Sequence, residues 1–343
     1  MDYKRLKKYL DKLYETFDIK YLSPDPLEIV HKFQNPPDKE IIGLLASILA
    51  YGNVKTIIKS VSSIIEVIGS SPINFILNFN PKKDIHRFAF FKHRFTSGMD
   101  IANIFFILKN IYKEYGSLKE FYYVGYNESD EDIKNSLISF VDRFLSYPVI
   151  FDNKKKNVTV RFITHNNLCR INPTATTISK AKDFPSLRYL FPSPQFCSPD
   201  SFVRDIESRK NNSGLLSPSL RYLFPSPQKG SACKRLNLFL RWMVRRGDKL
   251  DFGLWDKINP NKLIIPVDTH IAKICKNIGL TTRNSADWKM AKEITENLKI
   301  LDPADPVKYD FAITRLGIIE KCSGVKKQNK CAQCLIKDIC IIN

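Results

Sequence analysis

Four closely spaced cysteines near the end of the sequence could hold one metal centre together. They are Cys322, Cys331, Cys334 and Cys340, in the spacing C-x8-C-x2-C-x5-C. Soft thiolate ligands favour an iron–sulfur cluster or zinc over hard cations. Four-cysteine zinc sites usually combine two C-x2-C pairs, whereas this segment has one such pair with a single cysteine on either side. We therefore expect a 4Fe–4S cluster, with zinc and unligated thiols as the alternatives.

A second candidate for chemistry is Asp268, which directly precedes an apolar pattern of helical period. Aspartate is favourable at such a helix start, because its carboxylate accepts hydrogen bonds from the first backbone N–H groups. The same N–H groups and the helix dipole favour the negative charge. A fixed negative charge can stabilise a positive charge that develops on a substrate. Asp268 is therefore either a helix cap alone or a cap that also acts in catalysis.

These two motifs together resemble the endonuclease III branch of the helix-hairpin-helix/Gly-Pro-Asp (HhH-GPD) DNA glycosylases. Proteins of that branch carry the catalytic aspartate in a Val-Asp-Thr-His sequence, which here is residues 267–270, and close with a four-cysteine loop around a 4Fe–4S cluster. The resemblance implies that Asp268 stabilises the sugar cation and that the four cysteines hold the cluster. The first cysteine gap is longer here than in the usual form of the loop.

Lys234 ends the segment Gly230-Ser231-Ala232-Cys233-Lys234, which resembles the Gly-x-Gly-x-Lys at the end of the hairpin in bifunctional glycosylases. On this match Lys234 takes the position of the catalytic lysine, which attacks C1′ of the sugar and forms a Schiff base. Ala232 replaces the second glycine, and the interval to Asp268 is longer than the family norm. Lys234 is therefore either this nucleophile or one of several basic residues that contact phosphate.

Three segments together are similar to one uncharacterised bacterial family within the HhH-GPD superfamily, whose members carry the label of a domain of unknown function. They are residues 45–55, 230–237 and 266–270. The resemblance spans roughly residues 25–145 and 219–343. It implies a two-lobed helical fold with the substrate cleft between the lobes.

Further residues are candidates for DNA contacts. Tyr51 and Asn53 lie where glycosylases of this type place residues that fill the gap left by an extruded base, so that Tyr51 could act as a wedge and Asn53 could bond the orphan base. The alternative is that both residues only end a helix. The basic candidates are Lys229, Arg235, Arg241, Arg245 and His270.

Charge and composition favour a nucleic-acid partner. The 343 residues include 54 Lys and Arg against 35 Asp and Glu, a formal net charge of +19. Such an excess attracts polyanions, nucleic acid before anionic membranes, although part of it could follow from a composition rich in Lys, Ile and Asn. No apolar run approaches the roughly 20 residues of a membrane span. We expect a cytoplasmic monomer that binds double-stranded DNA with a damaged or mismatched base, and no membrane.

Apolar residues repeat with helical period through most of the chain, and no series of alternating strands is evident, so we predict a mainly α fold. An exception is the stretch 148–217, which is rich in Ser, Asn, Pro and Lys and for which we predict disorder. Within it, residues 185–195 recur letter for letter as 218–228. The predicted organisation is an N-terminal helical segment 1–35 that packs with the C-terminal lobe, a helical lobe 36–147, the insertion 148–217, a hairpin-like and Asp-bearing region 218–320 and a four-cysteine iron–sulfur loop 321–343.

The sequence thus predicts a DNA-binding iron–sulfur protein that acts as a base-excision DNA glycosylase, with abasic-site lyase activity if Lys234 is the nucleophile. Two alternatives stay open. One is a non-catalytic nucleic-acid-binding protein that keeps the glycosylase scaffold. The other is a structural protein stapled by zinc at the four cysteines.

Overall fold

A computed structural model describes residues 2–153, 157–161, 218–320, 322, 324–325 and 328–341. Within these residues the protein is mainly helical, as predicted. The first copy of the duplicated segment and most of the predicted insertion lie outside the described residues. The helices are α1 (Tyr3–Thr16), α2 (Leu27–Val30), α3 (Pro36–Ile48), α4 (Val54–Ile68), α5 (Pro72–Asn78), α6 (Pro81–Asp84), α7 (Gly98–Tyr115), α8 (Leu118–Tyr123), α9 (Lys134–Ser146), α10 (Pro218–Leu223), α11 (Lys234–Val244), α12 (Thr269–Asn277), α13 (Trp288–Leu301), α14 (Asp310–Ile319) and α15 (Gln328–Cys331).

Two short antiparallel hairpins accompany these helices. The first pairs β1 (Lys92–His93) with β2 (Thr96–Ser97), and the second pairs β3 (Val149–Asn153) with β4 (Asn157–Arg161). The second hairpin occupies the start of the stretch for which the sequence predicted disorder. Its strands are rich in β-branched and aromatic residues, which fit a pleated strand, and Val149 and Ile150 are buried.

The predicted stop between α3 and α4 is confirmed. Helix α3 ends at Ile48, and Gly52 adopts a positive φ of 98°. This left-handed region favours glycine because it has no Cβ. Asn53 then caps α4, and its side chain accepts a hydrogen bond from the backbone N–H of Lys55. The chain therefore changes direction at residues 50–53, between α3 and α4.

The core lies around α3, almost all of whose residues are buried. Helices α2, α5, α8 and α11 all pack against α3, so that a helix from the second half of the chain completes the core of the first half. Helix α1 in turn packs on α13 and α14. Among the described residues, no single helix is long and apolar enough to span a membrane. The bent pair of α4 and α5 reaches that length and apolar composition only when the two helices are taken together.

Candidate functional site

Asp268 is the N-cap of α12, as predicted. One carboxylate oxygen, Oδ1, accepts hydrogen bonds from the backbone N–H groups of His270 and Ile271, both at 2.9 Å. The other oxygen, Oδ2, lies 3.6 Å from Nζ of Lys234. The helix start therefore fixes the carboxylate in place and leaves its second oxygen directed at the lysine amine.

Lys234 is the first residue of α11, and a tight turn leads into it. Gly230 and Cys233 both have positive φ, at 77° and 49°. A cysteine in this region is uncommon, and it is held there by contacts of its buried thiol with the carbonyl oxygens of Pro225 (3.3 Å) and Ser231 (3.4 Å). Burial raises the pKa of Cys233 to about 12, which keeps the thiol protonated and unreactive.

The two candidate catalytic residues meet because α11 and α12 begin at the same part of the surface. The Lys234 side chain is 33% exposed and that of Asp268 is 21% exposed. Solvent and ligands can therefore reach both groups. This proximity cannot be read from their separation in the sequence.

A buried carboxyl group lies behind Asp268. Asp310, the first residue of α14, forms an ion pair with Arg241. Burial raises the pKa of Asp310 to about 6, the charge of Arg241 opposes this rise, and the charge of Asp268 adds to it. The thiol of Cys275 is also buried, and burial raises its pKa.

A pocket of about 390 Å³ adjoins Lys234. Its walls include the aromatic side chains of Tyr51 and Tyr222 and the cationic side chains of Arg221 and Lys234. Aromatic faces beside cations suit a ligand that combines a planar ring with a negative charge, as a nucleotide does.

Tyr51 does not project from this pocket wall as a free wedge. Its hydroxyl donates to the carbonyl oxygen of His93 at 2.8 Å and lies 2.7 Å from the hydroxyl of Thr96. Its ring meets that of Tyr222 edge to face at 5.2 Å. Asn53 is occupied as the cap of α4. The contacts of both residues fit the alternative that they end one helix and start the next.

Three of the arginines predicted to contact DNA are buried. Arg235 donates to the carbonyl oxygens of Ile48 and Tyr222, so it ties α11 to α3 and α10. Arg241 and Arg245 form ion pairs with buried or half-buried aspartates further along the chain. A contact with DNA phosphate requires an exposed guanidinium group, and these three side chains are buried.

The other two basic candidates lie nearer the surface. Lys229 is exposed at the end of a short 3₁₀ helix, Pro227–Lys229, that leads toward the turn before α11. His270 is half-buried in the first turn of α12. Its ring lies so close to Gly317 that a Cβ at that position would come within 2.7 Å of Nδ1, so Gly317 provides the space for the imidazole.

Hydrogen bonds connect the described residues of the four-cysteine tail to the helical body. The backbone N–H of Ile341 donates to the carbonyl oxygen of Asn277 at 2.7 Å, and the Tyr9 hydroxyl donates to Asp338 at 2.5 Å. All four thiols are half-buried. Burial raises the pKa of Cys334, and the charges of the other three cysteines add to the rise, so the sulfurs lie within electrostatic range of one another. In the part of the chain that the structure describes, no three His, Cys, Asp or Glu side chains are arranged to hold a metal ion.

Comparison with known proteins identifies a family but no activity. The family model described as "Protein of unknown function (DUF2400)" matches residues 25–172 and 152–319. Because these matches cover more than half of the chain, the protein belongs to this family, and the prediction of an uncharacterised family is confirmed. No curated protein and no solved structure gives a significant match.

Proposed function

We propose that this member of the DUF2400 family binds DNA and excises a damaged or mismatched base, in the manner of an HhH-GPD glycosylase. One observation carries the proposal. The amine of Lys234 lies 3.6 Å from the carboxylate of Asp268 at the start of two helices, beside a pocket with aromatic and cationic walls. A nucleophile next to a fixed carboxylate is the arrangement that this chemistry needs.

The electrostatic surroundings support a polyanionic substrate. The residues that line the pocket include Arg221, Lys234 and Arg235, and none of the lining residues is Asp or Glu. A pocket lined by cations attracts phosphates. The carboxylate of Asp268 supplies a negative group next to the lysine amine.

The proposed reaction begins with extrusion of the target nucleotide into the pocket. As the bond between C1′ and the base breaks, the leaving base takes the bonding electrons and positive charge develops at C1′. The carboxylate of Asp268, held by two backbone N–H groups, stabilises that charge. Lys234 passes a proton from its ammonium group to the adjacent carboxylate of Asp268, and the resulting amine forms a C–N bond at C1′. The C1′–O4′ bond then breaks, O4′ takes up a proton, and the nitrogen lone pair completes the C=N bond of the Schiff base.

We also propose that Cys322, Cys331, Cys334 and Cys340 hold a 4Fe–4S cluster. In such a cluster each thiolate binds a different iron atom, so the four sulfurs need not converge as closely as they do around one zinc ion. The half-buried thiols within electrostatic range of one another fit this wider arrangement. The cluster would hold the tail as a surface from which the exposed Lys330 and Lys337 can reach phosphates.

The cofactor proposal is tested by the colour and metal content of the purified protein. An iron–sulfur cluster gives a brown protein that contains iron and sulfide, and the Cys334→Ser variant should lose both. A colourless protein with one equivalent of zinc would instead favour the structural zinc site. A protein with neither metal would overturn both assignments.

Borohydride trapping tests the lyase step. The wild-type protein should form a covalent adduct with a duplex that contains an abasic site, and the Lys234→Ala variant should not. Lys8→Ala is the control, because Lys8 is an exposed lysine of α1 that is not among the candidate DNA contacts. Adducts that persist in Lys234→Ala would overturn the role of this lysine.

An incision assay over a panel of damaged and mismatched duplexes tests the glycosylase step. Replacement of Asp268 by asparagine keeps an oxygen that can cap α12 but removes the charge, so excision should fall by about 100-fold or more while the protein stays folded. Undiminished excision by Asp268→Asn would contradict the mechanism.

A non-catalytic nucleic-acid-binding protein is the second candidate. The observation in its favour is that Lys234 and Asp268 already pair with each other and so join the starts of α11 and α12, which is a sufficient structural reason for their proximity. This candidate predicts binding to DNA without excision of any base in the panel and without a trapped adduct.

A further inference from the structure

An exposed aromatic side chain stands at the tip of the first hairpin, next to the pocket. Phe95, in the turn between β1 and β2, is 63% exposed. Its ring lies 5.8 Å from that of Tyr222, which is 43% exposed and lines the pocket beside Lys234. The two rings form an aromatic surface, here called the Phe95–Tyr222 platform, that continues from the pocket wall to the hairpin tip.

Buried polar contacts hold the hairpin in position. Burial lowers the pKa of His93, which favours a neutral ring that accepts from the hydroxyl of Ser60 at 2.8 Å and donates to the carbonyl oxygen of Tyr51 at 3.2 Å. The Tyr51 hydroxyl in turn binds both strands, at His93 and Thr96. A two-residue strand pair is not stable alone, so these bonds are what fix Phe95 in an exposed position. A group that is already ordered loses little entropy when it binds a ligand.

The charges around the platform select the ligand. Lys92 and Arg94 of the hairpin are both exposed, and the guanidinium group of Arg94 lies 5.9 Å from the Phe95 ring. No Asp or Glu occurs between residues 85 and 99. A rigid aromatic face flanked by cations matches a nucleobase attached to a phosphate backbone, because the base stacks on the ring while the cations bind phosphate.

We propose that the Phe95–Tyr222 platform stacks against unpaired bases of DNA that is bound at the Lys234–Asp268 site. This inference rests on the proposed function for the choice of DNA, and it assigns the recognition of disrupted base pairing to the hairpin. Tyr51, whose hydroxyl is hydrogen-bonded to His93 and Thr96, supports the platform through its ring contact with Tyr222. The protein should therefore prefer a duplex with an unpaired or missing base to an intact duplex.

The first test compares two phenylalanines of the same loop region. Phe95→Ala should weaken binding to a duplex with one unpaired base by about tenfold, which is the loss of one stacked base, and should leave binding to intact duplex nearly unchanged. Phe90→Ala is the matched control, since Phe90 is fully exposed and is not part of the platform. Affinities from fluorescence anisotropy give the comparison. Equal affinities of Phe95→Ala and Phe90→Ala would overturn the proposal.

The second test uses Phe95→Trp as a reporter. The chain has three tryptophans, Trp242, Trp255 and Trp288, and all are buried. An added exposed indole would therefore account for the emission that acrylamide quenches. The DNA with an unpaired base should quench this emission and shield it from acrylamide, whereas intact duplex should have little effect. Unchanged emission would show that the bases do not reach the platform and would overturn the proposal.

The same experiments separate this inference from the proposed function. If wild type shows no excision and no trapped adduct but Phe95→Ala still loses tenfold in affinity, the platform stands and the glycosylase proposal fails. If excision occurs and Phe95→Ala has no effect on affinity or emission, the enzyme proposal stands and the platform fails. A wild-type protein that binds no DNA overturns both.

Discussion

The two ends of α11 carry basic residues with opposite surroundings. At the N-terminal end, Lys234 is 33% exposed and faces one carboxylate, Asp268, at 3.6 Å. At the C-terminal end, the Arg245 side chain is 1% exposed and contacts Asp248 and Asp305 at 2.9 Å and Asp251 at 2.5 Å. A single stretch of basic sequence therefore provides a surface group at one end and an internal structural group at the other.

This difference shows how the buried charges position the exposed ones. Arg241 joins α11 to Asp310 of α14, and α14 packs on α12, which carries Asp268. The buried ion pairs therefore fix the relative position of the two helices whose starts form the candidate site. The exposed pair depends on this arrangement, because the buried ion pairs position both of its helices.

The largest expected effect on stability comes from removing the buried ion pairs of Arg245 at the C-terminal end of α11. Replacement of Arg245 by methionine keeps much of the side-chain volume but removes a cation from three carboxylates, of which Asp251 retains its contact with Arg241. We expect the free energy of unfolding to fall by about 3–5 kcal/mol, the usual cost of removing one partner from a buried ion pair. Urea denaturation followed by circular dichroism gives this value.

The neighbouring arginine supplies the control. Arg246 is exposed, so Arg246→Met should change the free energy of unfolding by less than about 0.5 kcal/mol. Similar losses in both variants would mean that burial does not distinguish the two arginines, and the contrast between the ends of α11 would fail.

Local parts of the molecule were predictable from the sequence, because their signals are local. The helical periodicity, the stop at residues 51–53 and the N-cap role of Asp268 each depend on neighbouring residues. The burial of Arg241 and Arg245, which the sequence predicted to contact DNA, could not be foreseen, because two of their partners, Asp305 and Asp310, lie 60 or more residues away. The spacing of apolar residues along the sequence gives no information about these ion pairs.

The candidate site was predictable only in part. Lys234 and Asp268 were chosen by resemblance, and their proximity depends on how α11 and α12 pack. Phe95 was missed, because the hairpin that exposes it has two-residue strands and depends on the distant Tyr51 and Ser60. The alternation of Lys92-His93-Arg94-Phe95 is the only local signal, and it is too short to separate a strand from a loop.

A pH-dependent effect of intermediate size should come from Asp310. Its folded-state pKa of about 6 exceeds the ordinary value of 3.8, so the folded protein retains a proton that the unfolded chain releases in this range. This contribution to stability is complete below pH 3.8 and is lost as the pH rises through 6. The stability of the wild type relative to Asp310→Asn should therefore fall by up to about 3 kcal/mol across the window. Urea denaturation of both proteins at several pH values measures it, and a difference that is constant or rises with pH would show that Asp310 stays ionised beside Arg241.

The smallest effect on stability should come from the exposed end of α11. Lys234→Met removes a cation that is partly solvated and leaves Asp268 free to cap α12 through Oδ1. We expect the free energy of unfolding to change by less than about 1 kcal/mol, as for other surface ion pairs, and this change to become smaller as added salt screens the pair. A loss as large as that of Arg245→Met would mean that Lys234 belongs to the structural network. A small loss, together with the loss of any trapped adduct, would leave function as the reason for a lysine at this helix start.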